Sequence, residues 1–122
     1  MSLAAYKVLH LIGAFLIFAS LGALALRHKD GGDREGRSKL DSISHGIALL
    51  ILIVSGFGML ARLGVTHDWL FPGWVWGKLV IWLLLGAALA FVRRMPRLAA
   101  VWWWAMPLLG GLAAWMAIYK PF

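Results

Sequence analysis

Cysteine is absent from this chain, which excludes disulfides, thiolate metal sites and covalent attachment of a c-type haem. Carboxylates are scarce, with five Asp and Glu in 122 residues. Asp30, Asp33, Glu35 and Asp41 fall in one polar segment, and Asp68 in a short connection. A carboxylate pair for hydrolysis is therefore not expected. Without an acid inside an apolar run, proton-coupled transport also lacks its usual relay. Zinc-type spacings and phosphate-binding glycine loops are missing. Proline is rare as well, and of its four positions only Pro107 falls within an apolar run.

What remains is largely apolar. Hydrophobic residues make up 62% of the chain, well above the ~45–50% of soluble domains. Lipid must cover part of that surface, so the chain reads as a single integral membrane domain over residues 1–122. Four runs are long enough to span a bilayer, at about 3–26, 42–63, 74–93 and 98–119. At ~1.5 Å rise per residue each covers a ~30 Å hydrocarbon core. The expected fold is an all-α antiparallel four-helix transmembrane bundle. Lys7 ahead of the run from Val8, together with Ala23-Leu24-Ala25, has features of a signal peptide. The run is longer than an h-region, so a retained helix is expected.

The net charge of +7 is not a nucleic-acid signature, because the cations cluster at the ends of the apolar runs. Connections 27–41 and 94–97 face one side of the bundle. With Arg93 they carry Arg27, Lys29, Arg34, Arg37, Lys39, Arg94 and Arg97. Lys7, Arg62, Lys78 and Lys120 lie toward the other side. The positive-inside rule then places both termini on the non-cytoplasmic side, as in a bacterial cytoplasmic membrane.

Eight tryptophans are present. Trp69, Trp74 and Trp76 are expected in an aromatic belt at the non-cytoplasmic interface. Trp102, Trp103 and Trp104 are consecutive, so at ~100° per residue they cannot share a helix face. Small residues at Gly86 and Ala90, and at Gly110 and Ala114, have the spacing that lets helices approach closely. Such faces serve bundle packing, or a seam with a second copy or a larger membrane complex.

Ionisable groups within apolar runs are the functional suspects. Counting along the helices puts His10 about two turns below the non-cytoplasmic surface, Lys78 about one turn below it, and Arg62 at the same end. His45 falls about one turn from the opposite surface, with Ser42, Ser44 and Arg93 nearby. His10 and His45 are then ~20 Å apart along the membrane normal. Two axial nitrogens on one iron sit about 4 Å apart, given ~2 Å per metal–imidazole bond. One haem clamped between these two histidines is therefore not expected. Each group also has a purely structural reading: a hydrogen bond from His10 across the bundle, a snorkelling Lys78, and an interfacial His45.

Three segments carry a resemblance. Tyr6-Lys7-Val8-Leu9-His10-Leu11-Ile12 resembles the opening of the HemJ, CopD and SirB-like families of small four-helix membrane proteins. Trp74-Val75-Trp76-Gly77-Lys78-Leu79-Val80 resembles their third-helix W-x-x-x-K-L segment. Ser44-His45-Gly46 through Ser55-Gly56 resembles the second helix of SirB-like proteins. The HemJ-like resemblance implies that His10 and Lys78 are the haem and activity residues.

The leading expectation is a protein that binds b-type haem or a related tetrapyrrole, with a role in electron transfer. His10 would be the metal ligand, Lys78 a second ligand or a partner to a propionate, and Arg62 a bidentate propionate partner. His45 would mark a separate site. The alternative is a non-catalytic accessory or scaffold subunit. A third reading, implied by the resemblance alone, is porphyrinogen oxidation.

Overall fold

A computed structural model describes residues 2–29, 35–64 and 72–120, with side chains 27–29, 35–38, 96 and 99 left aside. Four helices account for nearly all of it. They are α1 (Leu3–Lys29), α2 (Glu35–Arg62), α3 (Gly73–Arg94) and α4 (Ala99–Tyr119), with a 3-10 turn at Pro96–Leu98 before α4. Each contains a segment long and apolar enough to cross a membrane: Leu3–Leu26, Lys39–Arg62, Gly73–Arg94 and Ala100–Tyr119. The chain is thus an all-α bundle with the character of an integral membrane protein.

Two helix ends differ from the sequence expectation. α2 starts at Glu35, seven residues before the expected 42, and α1 continues to Lys29. The apolar runs mark where lipid lies. Backbone hydrogen bonding continues past that limit into charged residues that favour helix, and Glu35 and Lys39 stand at the supportive i,i+4 spacing. The connection at 65–71, with the expected positions of His67, Asp68 and Trp69, lies outside the described residues.

α1 is the spine. It packs closely on α2, meets α4 along a second seam, and touches α3 across the short diagonal. Its buried stripe is Gly13, Ile17, Leu21 and Leu24, a helical spacing that puts one face inward. A third of the α1 span is buried (33%), against 11% for α4, so α4 shows most of its surface outward. Lipid tails are as apolar as leucine, so close contact rather than the hydrophobic effect holds such helices together. Glycine permits the closest of these contacts at two positions. A Cβ on Gly58 of α2 would sit 2.3 Å from the Tyr6 ring of α1, and one on Gly110 of α4 would sit 2.5 Å from the Phe18 ring. Of the spaced small pairs, Gly110 is used in this way, while Ala90 and Ala114 are exposed.

α2 and α3 pack less intimately and are joined by side-chain bonds, one from Arg93 to Ser42 and two that cross. His45 Nε2 on α2 donates to the Leu85 carbonyl of α3 (2.9 Å), and Trp82 Nε1 on α3 donates to the Leu49 carbonyl of α2 (3.0 Å). Carbonyls within a helix keep a second lone pair, so these bonds form without breaking either helix.

The tryptophans divide as their azimuth requires. Trp102 is half-buried and stacks on Phe91 (5.6 Å between centroids), Trp103 lies over Gly22, and Trp104 is 71% exposed. Trp76 is half exposed, as a belt residue would be. Trp74, expected beside it, is instead buried beneath the Lys120 ammonium, 5.6 Å from the ring. Its position on the inner stripe of α3 overrides its position near the surface. α4 continues through Pro107.

Candidate functional site

The buried stripe of α2 runs Asp41, His45, Ala48, Leu52, Ser55 at helical three- and four-residue steps. It brings polar groups to the inside at both ends of the bundle. α1 and α3 start at the same end, where the chain termini lie; the α1–α2 and α3–α4 connections lie at the other.

At the terminal end, His10 of α1 meets Ser55 of α2, with Nδ1 and Oγ 2.8 Å apart. Ser55 is fully buried, and its hydroxyl donates to the Ile51 carbonyl at 2.6 Å. A hydroxyl has one hydrogen. With that hydrogen committed to the backbone, Oγ accepts, so His10 Nδ1–H donates. In the neutral ring Nε2 then holds the free lone pair. A Cβ on Gly56 would meet His10 Cε1 at 3.6 Å and Nδ1 at 3.9 Å, so this edge of the ring faces α2. A Cβ at position 56 would make ordinary van der Waals contact with the ring.

Lys78 continues the inward stripe of α3, which includes Trp74, Ile81, Leu85 and Ala88. Its side chain is half-buried, and its ammonium acts electrostatically on His10. Among the described residues it has no hydrogen-bond or ion-pair partner. By helix rise, Lys78 lies ~8 Å from the start of α3 and His10 ~11 Å from the start of α1. The structure therefore brings His10 and Lys78 together. Arg62 ends α2 at the same end and its side chain is exposed.

His45 is not part of this group. Ten residues separate it from Ser55 on α2, about 15 Å by helix rise. It is buried at the connection end and holds the Leu85 carbonyl. Of its expected neighbours, Arg93 acts on it electrostatically and hydrogen-bonds Ser42. Asp41, expected in a loop, lies inside α2 and is buried there. Among the described residues no three His, Cys, Asp or Glu side chains converge.

Ser55 was not expected as the partner of His10. The available signal was a hydroxyl in the middle of an apolar run, within one turn of the glycines at 56 and 58. The Leu85 carbonyl, as backbone, left no signal at all.

The donor set suits one kind of ligation. A histidine whose Nδ1–H is bound to a fixed acceptor presents Nε2 to a metal, and such an outer partner commonly sets the tautomer in metal-bound histidines. A nearby cation suits a ligand that carries carboxylates. The groove described between α1 and α4 is elsewhere, lined from Phe18 to Leu26 of α1.

Compared with protein-family models, curated proteins and solved structures, the chain has no match.

Proposed function

We propose that this integral membrane protein binds a b-type haem or a related tetrapyrrole at its terminal end, with His10 Nε2 as the axial ligand. The observation that carries the reading is the Ser55 hydroxyl, which is committed to the Ile51 carbonyl and so sets the His10 tautomer. Lys78 supports it as an ammonium directed at the same level of the bundle, suited to a propionate. Exposed Arg62 at that end can take a second propionate in bidentate fashion. A bound haem would supply one-electron redox chemistry, tuned by the axial ligand and the surrounding dielectric. The resemblance of the segments around His10 and Lys78 to HemJ, CopD and SirB-like proteins points the same way, and porphyrinogen oxidation is the enzymatic form this reading would take. The excess of Lys and Arg at the connection end puts that end in the cytoplasm and the pigment near the opposite surface.

Titration of detergent-purified protein with haemin tests this. The expected result is a Soret band that shifts and saturates at one haem per chain, with the shift lost in His10→Ala. A shift that is equal in both proteins removes His10 as the ligand.

A second reading has its own observation. α4 is the least buried span, and Trp104, Leu108, Ile118 and Tyr119 are each more than 70% exposed. An accessory subunit would present this face to another membrane protein or to a second copy. Co-purification of a stoichiometric partner, with no pigment and no effect of His10→Ala, would favour it.

A further inference from the structure

Between α1 and the first turns of α4 runs a groove of about 330 Å³, remote from His10. Its volume is within the range of ligand clefts. Its walls are mostly carbon, and Gly22 forms part of its floor, with the Trp103 ring above. Trp102 is another wall. The indole Nε1 of Trp102 is buried, and it is the buried side-chain polar atom without a partner among the described residues.

The groove ends at the connection face, next to the 3-10 turn at Pro96–Leu98. That turn packs against α1 as well as α3 and α4. Arg97 lies in this turn and Arg94 ends α3 just before it. Both are exposed, and neither has a hydrogen-bond or ion-pair partner among the described residues. Two cations thus flank the end of a carbon-lined furrow in a helix bundle made for lipid. An acyl chain matches the walls, and a phosphate matches a guanidinium's fork.

We infer that this groove is a site for one anionic phospholipid, with an acyl chain against Gly22 and Trp103, and its phosphate on Arg97 and Arg94. The headgroup lies at the face with the excess of basic residues, where anionic lipid accumulates.

The test uses full-length protein without added haem, in bilayers of phosphatidylcholine with a minor fraction of phosphatidylglycerol. Bromines are placed on the acyl chains of one lipid or the other, and tryptophan fluorescence is read. Quenching by brominated phosphatidylglycerol is expected to exceed its mole fraction, giving a several-fold preference over phosphatidylcholine. In the Arg94→Gln/Arg97→Gln protein the preference is expected to fall to about one. These two positions are on the surface, so the double variant folds; Gly22→Leu, which fills the floor, should lower quenching by both lipids. Quenching in proportion to mole fraction in the unaltered protein would overturn the inference. So would a preference that survives loss of both arginines, or a native mass spectrum showing a dimer with no retained phospholipid.

Discussion

His10 on α1 and Ser55 on α2 are joined by a hydrogen bond of 2.8 Å, in which the serine can only accept because its own hydrogen is given to the Ile51 carbonyl. One backbone carbonyl thereby decides which imidazole nitrogen is left free. The relationship links the closest helix seam to the chemistry of the proposed site.

Removing the serine hydroxyl should loosen that choice. Ser55→Ala is expected to keep the fold and weaken haem binding by about 10–100-fold, the usual effect of losing an outer hydrogen-bond partner. Haemin titration of the variant checks this. Ser55→Thr, which keeps a hydroxyl, should restore much of the affinity.

Lys78 is assigned a role toward the ligand's carboxylates. Lys78→Met should then lower haem affinity while leaving the Soret position close to that of the unaltered protein, since the axial nitrogen is untouched. A changed Soret position would make Lys78 a ligand instead. Titration followed by absorption spectroscopy distinguishes the two.

His45 should matter for stability and not for pigment. His45→Leu removes one of the side-chain bonds between α2 and α3 and leaves those of Trp82 and Arg93. The expected cost is about 1–2 kcal/mol, in the range found for hydrogen bonds between membrane helices. Thermal unfolding in detergent, followed by circular dichroism, should show the loss. Haem stoichiometry should be unchanged.

The two adjacent glycines of α4 should behave oppositely. A Cβ on Gly110 meets the Phe18 ring, whereas one on Gly111 meets nothing within 4 Å. Gly110→Ala is expected to cost about 1–3 kcal/mol through overpacking. Gly111→Ala should be neutral or stabilising by a few tenths of a kcal/mol, because alanine favours helix. Melting of the two variants side by side checks the contrast.

Much of the architecture was legible in the apolar runs. Four spans of about the right length leave few arrangements, and helix rise placed His10 and Lys78 at one level. Helix ends were less legible, since hydropathy reports lipid contact and α2 extends to Glu35 beyond it. The azimuth of each helix was the larger gap. Spans that are apolar all round give a weak amphipathic signal, so nothing in the sequence turned Ser55 toward His10 or Trp74 toward the core. Depth could be counted; which residues face each other depended on where glycines such as Gly58 and Gly110 let the helices close in.

The most direct test of the proposed pigment site is the absorption spectrum of protein purified from haem-replete membranes, compared with that of His10→Ala purified alongside. A Soret band near one equivalent of haem in the first and none in the second, with matching circular dichroism, is the predicted result. A colourless unaltered protein, or the same band in both, would contradict it.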